Sequence, residues 1–117
     1  QLTTVKSPLV DHEALADYRF AMTQNPERLT AYRNVLAHMN NMETRSRYNT
    51  VRRFKHITVP TLVVWGKDDQ INAMEMGEMT QAGIPGSKIV AFDDCGHFIP
   101  TEVPEQFNKA VGEFLAD

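Results

Sequence analysis

Apolar residues recur with a helical period along the first half of the chain and in short unbroken runs along the second. Leu15, Tyr18 and Met22 fall on one face of a stretch from about Asp11 to Thr23. Leu29, Tyr32, Leu36 and Met39 share a face behind Asn25-Pro26, residue types suited to an N-cap and a first helical position. A third helical stretch carries Tyr48, Val51 and Phe54. From residue 59 the pattern becomes strand and helix in turn: strand 60–65, helix about 73–82, strand 88–92, helix 104–116. The runs Thr-Leu-Val-Val-Trp and Ile-Val-Ala-Phe do not alternate with polar residues, the pattern of strands covered on both faces. Gly83 is placed to end the helix between them, and Pro85-Gly86 to turn the chain into the second strand. Pro104 opens the last helix, where Phe107, Ala110, Val111 and Phe114 make an inward stripe.

A strand, a helix of this length and a second strand predict a right-handed parallel crossover, so the fold class is α/β. The expected organisation is a helical segment over residues 1–56 and an α/β segment over 57–117. Two parallel strands need neighbours, which predicts further strands from an N-terminal half of the same protein, as a preceding segment or a second chain. The chain begins with Gln1 and shows no basic-then-apolar leader, an expectation of a fragment or processed chain.

Composition narrows the class. At 117 residues and 42% hydrophobic, the chain suffices for one modest core. Residues 1–56 hold nine Lys/Arg against five Asp/Glu, and residues 57–117 three against ten. The seven arginines of the basic half are spread over three helical stretches rather than one face, so a solvated helix surface is expected and nucleic acid is not. A basic segment beside an acidic one also suits a small anionic substrate. The single cysteine, Cys95, excludes an internal disulfide and favours a reducing, cytoplasmic setting. No apolar run approaches the roughly 18 residues of a membrane span.

The candidate chemistry lies just after the two strands. In an open parallel sheet, functional groups collect beyond the carboxyl ends of the strands, where Asp69 and His97 both fall. A carboxylate that accepts the Nδ1–H of a histidine fixes its tautomer and stabilises the imidazolium formed when Nε2 takes a proton. Gly66 and Gly96 are expected to turn the chain sharply beside these two residues. The plainer alternative is that Asp68-Asp69 cap the next helix and His97 fills a loop. Asp68, Asp69, Asp93, Asp94 and His97 lack the converging spacing of a dedicated metal site, so no metal or other cofactor is expected. Cys95 stands too close to His97 in sequence to serve as its nucleophile and is read as a structural loop residue. Met74, Met76 and Met79 suit helix packing, and His12, His38 and His56 are read as surface residues. No Ser, Cys or Asp occupies a Gly-x-Ser-x-Gly type of elbow, so a nucleophile is not found in this chain.

Val59-Pro-Thr-Leu-Val-Val-Trp-Gly-Lys-Asp-Asp69, Cys95-Gly-His97 and the closing Pro104-Glu-Gln-Phe-Asn…Phe114-Leu resemble the C-terminal part of an α/β-hydrolase. The resemblance implies that Asp69, three residues after Gly66, is the acid of a catalytic triad and His97 its base, in the family's order of Ser, Asp, His. It also implies that residues 1–55 belong to the helical lid. Leu15-Ala-Asp-Tyr-Arg19-Phe followed by Asn25-Pro-Glu-Arg-Leu29, with Phe107-Asn108 in the last helix, is similar to the meta-cleavage-product hydrolases. Those enzymes hydrolyse a carbon–carbon bond in 2-hydroxy-6-oxo-dienoates from aromatic ring degradation. The resemblance then makes Arg19 the residue that binds a substrate carboxylate, through planar bidentate donors. That subfamily usually places Trp directly after the histidine, where this chain has Phe98, expected to line the substrate pocket. Ester, lactone, epoxide and haloalkane hydrolases share the scaffold and form an alternative, as does a non-catalytic interaction module. The expected partners are the N-terminal half, a small-molecule substrate and a second copy of the chain.

Overall fold

A computed structural model describes residues 11–116, in two compact units that divide after Thr50. Residues 1–10, which the sequence reading includes in the helical segment, lie outside the described residues.

The first unit is helical: α1 (His12–Thr23), α2 (Pro26–Asn40) and α3 (Met42–Arg47). Each helix starts where a short polar side chain turns back on the orphan amides of the first turn. Asp11 Oδ1 accepts from the N–H of Glu13 at 3.1 Å and of Ala14 at 2.9 Å. Asn25 Oδ1 does the same for Glu27 at 2.9 Å and Arg28 at 3.2 Å, with Pro26 opening the helix. Asn41 both ends α2 and caps α3, accepting from the Thr44 N–H at 3.0 Å. No residue of these three helices is fully buried, and Leu15, Met22 and Leu29 are half-buried between exposed neighbours. The third helical stretch expected around Tyr48, Val51 and Phe54 is not one element. α3 stops at Arg47, and a 3₁₀ turn over Val51–His56 belongs to the second unit, where Phe54 packs against α4 (Met74–Gly83) at Gly83. Asn49 and Thr50 between them break the helical pattern.

The second unit is α/β: β1 (Leu62–Gly66), α4, β2 (Lys88–Phe92), α5 (Ile99–Glu102) and α6 (Pro104–Ala116). The strands pair in parallel, in a register that sets Leu62 beside Lys88 and Gly66 beside Phe92. Their ends therefore lie level, and whatever follows each strand emerges at the same rim. The crossover helix packs closely because of Gly77: a Cβ there would stand 2.7 Å from the Trp65 ring. The Trp65 indole N–H donates to the Asn72 carbonyl at 3.1 Å, which ties the loop before α4 to β1. After α4, Gly86 takes a left-handed φ of 73°, and the Ser87 hydroxyl donates to the Gln81 carbonyl at 2.9 Å. The core is Phe92, Cys95 and Ile99, with Val64, Val90, Val103, Phe107 and Ala110 packed against it. The stripe on α6 faces inward as its spacing predicts: Phe107, Ala110, Val111 and Phe114 are half-buried while the positions between are exposed. The four-residue helix α5 has no counterpart among the sequence expectations, since one turn shows no periodicity.

Candidate active site

Two loops meet at the rim. The first leaves β1 at Gly66, and the second leaves β2 at Phe92. A Cβ on Gly66 would lie 2.1 Å from the Gly96 carbonyl oxygen and 2.5 Å from that of Cys95, so the second loop rests directly on the α-carbon of Gly66. The sequence reading assigned Gly66 a turning role. Its backbone is not left-handed, and what the position needs is the absence of a side chain. Backbone bonds complete the contact, from the Lys67 N–H to the Phe92 carbonyl at 3.0 Å and from the Asp68 N–H to the Cys95 carbonyl at 2.9 Å. Asp94, just before Cys95, adopts a left-handed φ of 49°, which a short polar residue tolerates.

This stacking brings Asp69 and His97 together, 28 residues apart in sequence. His97 Nδ1 lies 2.8 Å from Asp69 Oδ2. The other carboxylate oxygen accepts from the N–H groups of Ile71 at 2.8 Å and Asn72 at 3.1 Å. The Asp69 side chain is 6% exposed and that of His97 38%. Burial opposes charge on Asp69, but the hydrogen bonds from His97, Asn72 and Ile71 outweigh it and hold the carboxyl below its ordinary value. An ionised carboxylate only accepts, so in the neutral imidazole Nδ1 carries the proton and Nε2 the lone pair. Among the described residues Nε2 has no hydrogen-bond partner. The arrangement can take a proton at Nε2 and stabilise the resulting imidazolium. Asp69 does not cap α4 as the plainer reading expected: the N-cap is Ala73 without a side-chain bond, and Asp69 instead divides its two oxygens between the loop amides of Ile71 and Asn72 and the histidine.

The Phe98 ring stands edge-on to the imidazole, with centroids 5.3 Å apart. Cys95 is completely buried, and burial, together with the carboxylates of Glu102, Asp68 and Asp69, pushes its thiol up to about 11. It stays protonated at neutral pH and is no nucleophile. Among the described residues no three His, Cys, Asp or Glu side chains are grouped to hold a metal ion. Arg19 lies on α1 in the helical unit, where it lines a groove of about 730 Å³ with Tyr18, Met22, Arg28, Leu29 and Tyr32. The sequence reading missed Glu102, which is 7% exposed and accepts from the backbone on both sides of His97. Its one sequence signal is an acid set between Ile99 and Val103, the apolar neighbours of a buried position.

Comparison with known proteins bears on this geometry. A relative from a Pseudomonas species, a 2-hydroxy-6-oxononadienedioate/2-hydroxy-6-oxononatrienedioate hydrolase, is 31% identical over 113 residues, 96% of this chain and 38% of the relative. One of the same name from Cupriavidus pinatubonensis (strain JMP 134 / LMG 1197) is 42% identical over 65 residues, 56% of this chain and 22% of the relative. The chain thus spans well under half the length of these curated relatives. The crystal structure of a serine hydrolase involved in carbazole degradation superposes with a TM-score of 0.75 at 27% identity, covering 92% of this chain and 41% of that one. Residues 5–110 match the model of the alpha/beta hydrolase family. Since that match takes in both rim loops and the strands that aim them, the chain belongs to the alpha/beta hydrolase family.

Proposed function

We propose that this chain supplies the acid–base pair of a hydrolase that cleaves a carbon–carbon bond in a 2-hydroxy-6-oxo-dienoate type of ring-cleavage product. The 2.8 Å contact between His97 Nδ1 and Asp69 Oδ2, with Nε2 left for a reactant, carries the reading. In it, His97 is the general base and later acid, and Asp69 orients it and balances its charge. The nucleophile is a serine of an N-terminal half, which also brings the oxyanion hole and the remaining strands. For the carbon–carbon substrate, His97 first assists enol-to-keto tautomerisation, after which water or serine attacks the ketone. Arg19 holds the substrate carboxylate and Phe98 lines the pocket, with residues 1–56 forming part of the lid. The names of the relatives support the substrate class, since both act on dioates.

A second reading, an ester or lactone hydrolase of the same fold, is favoured by Phe98 where the carbon–carbon subfamily usually has Trp. Native mass spectrometry comes first, and a second polypeptide or a longer chain that completes the fold is the expected result. Turnover of a 2-hydroxy-6-oxo-dienoate, followed by loss of its absorbance, then decides the class. Under the carbon–carbon reading, Arg19→Ala weakens substrate binding by about 1.5–3 kcal/mol through loss of a charged hydrogen bond. Unchanged affinity in that variant transfers the assignment to the ester or lactone class. Turnover that survives His97→Ala intact rejects both.

A further inference from the structure

Glu102 is buried at 7% exposure, yet it lies next to an exposed histidine. Its Oε1 accepts from the Phe98 N–H at 3.0 Å and its Oε2 from the Gly96 N–H at 2.8 Å. Those are the amides one residue after and one residue before His97. Phe98 is the N-cap of α5, so the first bond alone resembles a helix cap, with the acid reaching back to the cap amide. The second bond has no such purpose, because Gly96 lies outside the helix. It spans the loop and pins the other side of His97.

The surroundings make the span consequential. Gly96 is pressed from below by Gly66, three residues before Asp69. Gly66, the Gly96 peptide and Glu102 therefore form one stack, from the loop of the acid to the last residue of α5. The His97 ring is hydrogen-bonded to Asp69, with the Phe98 ring edge-on beside it, at 38% side-chain exposure. Its direction therefore depends on a backbone fixed at both neighbours. Charge-assisted bonds to amides are about twice as strong as neutral ones, and a carboxylate has the two acceptor atoms that this loop requires. Glutamine of the same size has one acceptor, and its amide group would set a donor against a donor.

We propose that Glu102 is a positioning residue for the pair: by gripping the N–H groups of Gly96 and Phe98, it fixes the His97 backbone so that the ring meets Asp69. The consequence for turnover rests on His97 being the base, as proposed above. The consequence for the His97–Asp69 bond does not.

The test uses the complete protein, labelled with ¹⁵N-histidine, in the wild type and in Glu102→Gln, Glu102→Asp and Val103→Ala. Glu102→Asp keeps the charge but is one methylene short of spanning both amides. Val103→Ala removes apolar packing against the same core and leaves both bonds, and so reports a loss of stability alone. In the wild type, the Nδ1 proton of His97 gives a downfield resonance protected by Asp69. Both Glu102 variants should broaden or remove it and lower kcat roughly a hundredfold, the scale of a misplaced catalytic group, with KM changed by less than about twofold. Val103→Ala should lower the urea midpoint with the resonance retained. A folded Glu102→Gln or Glu102→Asp protein with the wild-type resonance and kcat overturns the proposal. So does a fall in kcat that Val103→Ala reproduces at equal loss of stability. If Glu102→Gln does not fold, Glu102→Asp decides by the same two signals. A resonance lost in both variants of a protein without hydrolase turnover would sustain the positioning role and remove the function proposed for the pair.

Discussion

Asp69 performs two tasks with one carboxylate, and pH separates them. Its folded pKa lies below the ordinary value of 3.8, so it binds protons less readily in the folded state than in the unfolded one. The stability it contributes is fully present above about pH 4 and is lost as pH falls through the lower folded value. Asp69→Asn should flatten the acid limb of urea midpoint against pH, and an unchanged limb would show that other carboxylates dominate it. The same variant keeps a side-chain oxygen that can accept from the loop amides of Ile71 and Asn72 while failing as an anion beside His97. Its kcat should fall by roughly 10⁴-fold, as for the aspartate of a serine protease triad, with the fold retained by circular dichroism. Cys95, raised to about 11 and completely buried, should resist a thiol-reactive probe in the native protein and react once urea exposes it.

At the scale of elements, the site depends on two strand ends lying level and on two loops that touch. Parallel register provides the first, with Gly66 beside Phe92. The second follows from a missing side chain. Gly66→Ala would place a methyl 2.1 Å from a carbonyl oxygen that is part of the backbone, so the loops must separate. The expected cost is about 3 kcal/mol or more, toward the upper end for overpacking, read as a lower urea midpoint with weakened His97–Asp69 coupling. The helical unit responds on a smaller scale. Its helices are capped at Asp11, Asn25 and Asn41 but bury no residue completely. Asn25→Ala should cost about 1 kcal/mol there without reaching the rim.

For the whole molecule, the proportion of exposed apolar surface is the main observation. Tyr18, Phe20, Tyr32, Met39, Met42 and Tyr48 are each at least 59% exposed in the helical unit. Among the described residues the second unit buries five apolar side chains, Val63, Ile84, Phe92, Cys95 and Ile99, and has one pair of strands. The relatives that this chain matches are more than twice as long. A complementary half that adds strands beside β1 or β2 would bury surface that the described residues leave open. Adding it should raise the thermal midpoint, as any partner that binds the folded state alone does by mass action. No described helix is long and apolar enough to cross a membrane.

The sequence by itself determined the longer elements and the pair. Local preferences were enough for Asn25-Pro26 to open α2 and for the stripe on α6, because caps and periods are set within a few residues, whereas Gly83 is the last residue inside α4, packed against Phe54, and Ile84 is the cap. Asp69 and His97 were legible because each follows an apolar run by a few residues, and parallel strands carry such positions to one rim. The break after Arg47 and the existence of α5 were not legible, since single turns have no period to read. Only the tertiary structure showed that Gly66 is needed for contact rather than for turning, and that Glu102 grips both sides of His97. The first depends on two loops far apart in sequence touching, and the second on how the chain folds back within six residues between Gly96 and Glu102, a single turn with no period to announce it.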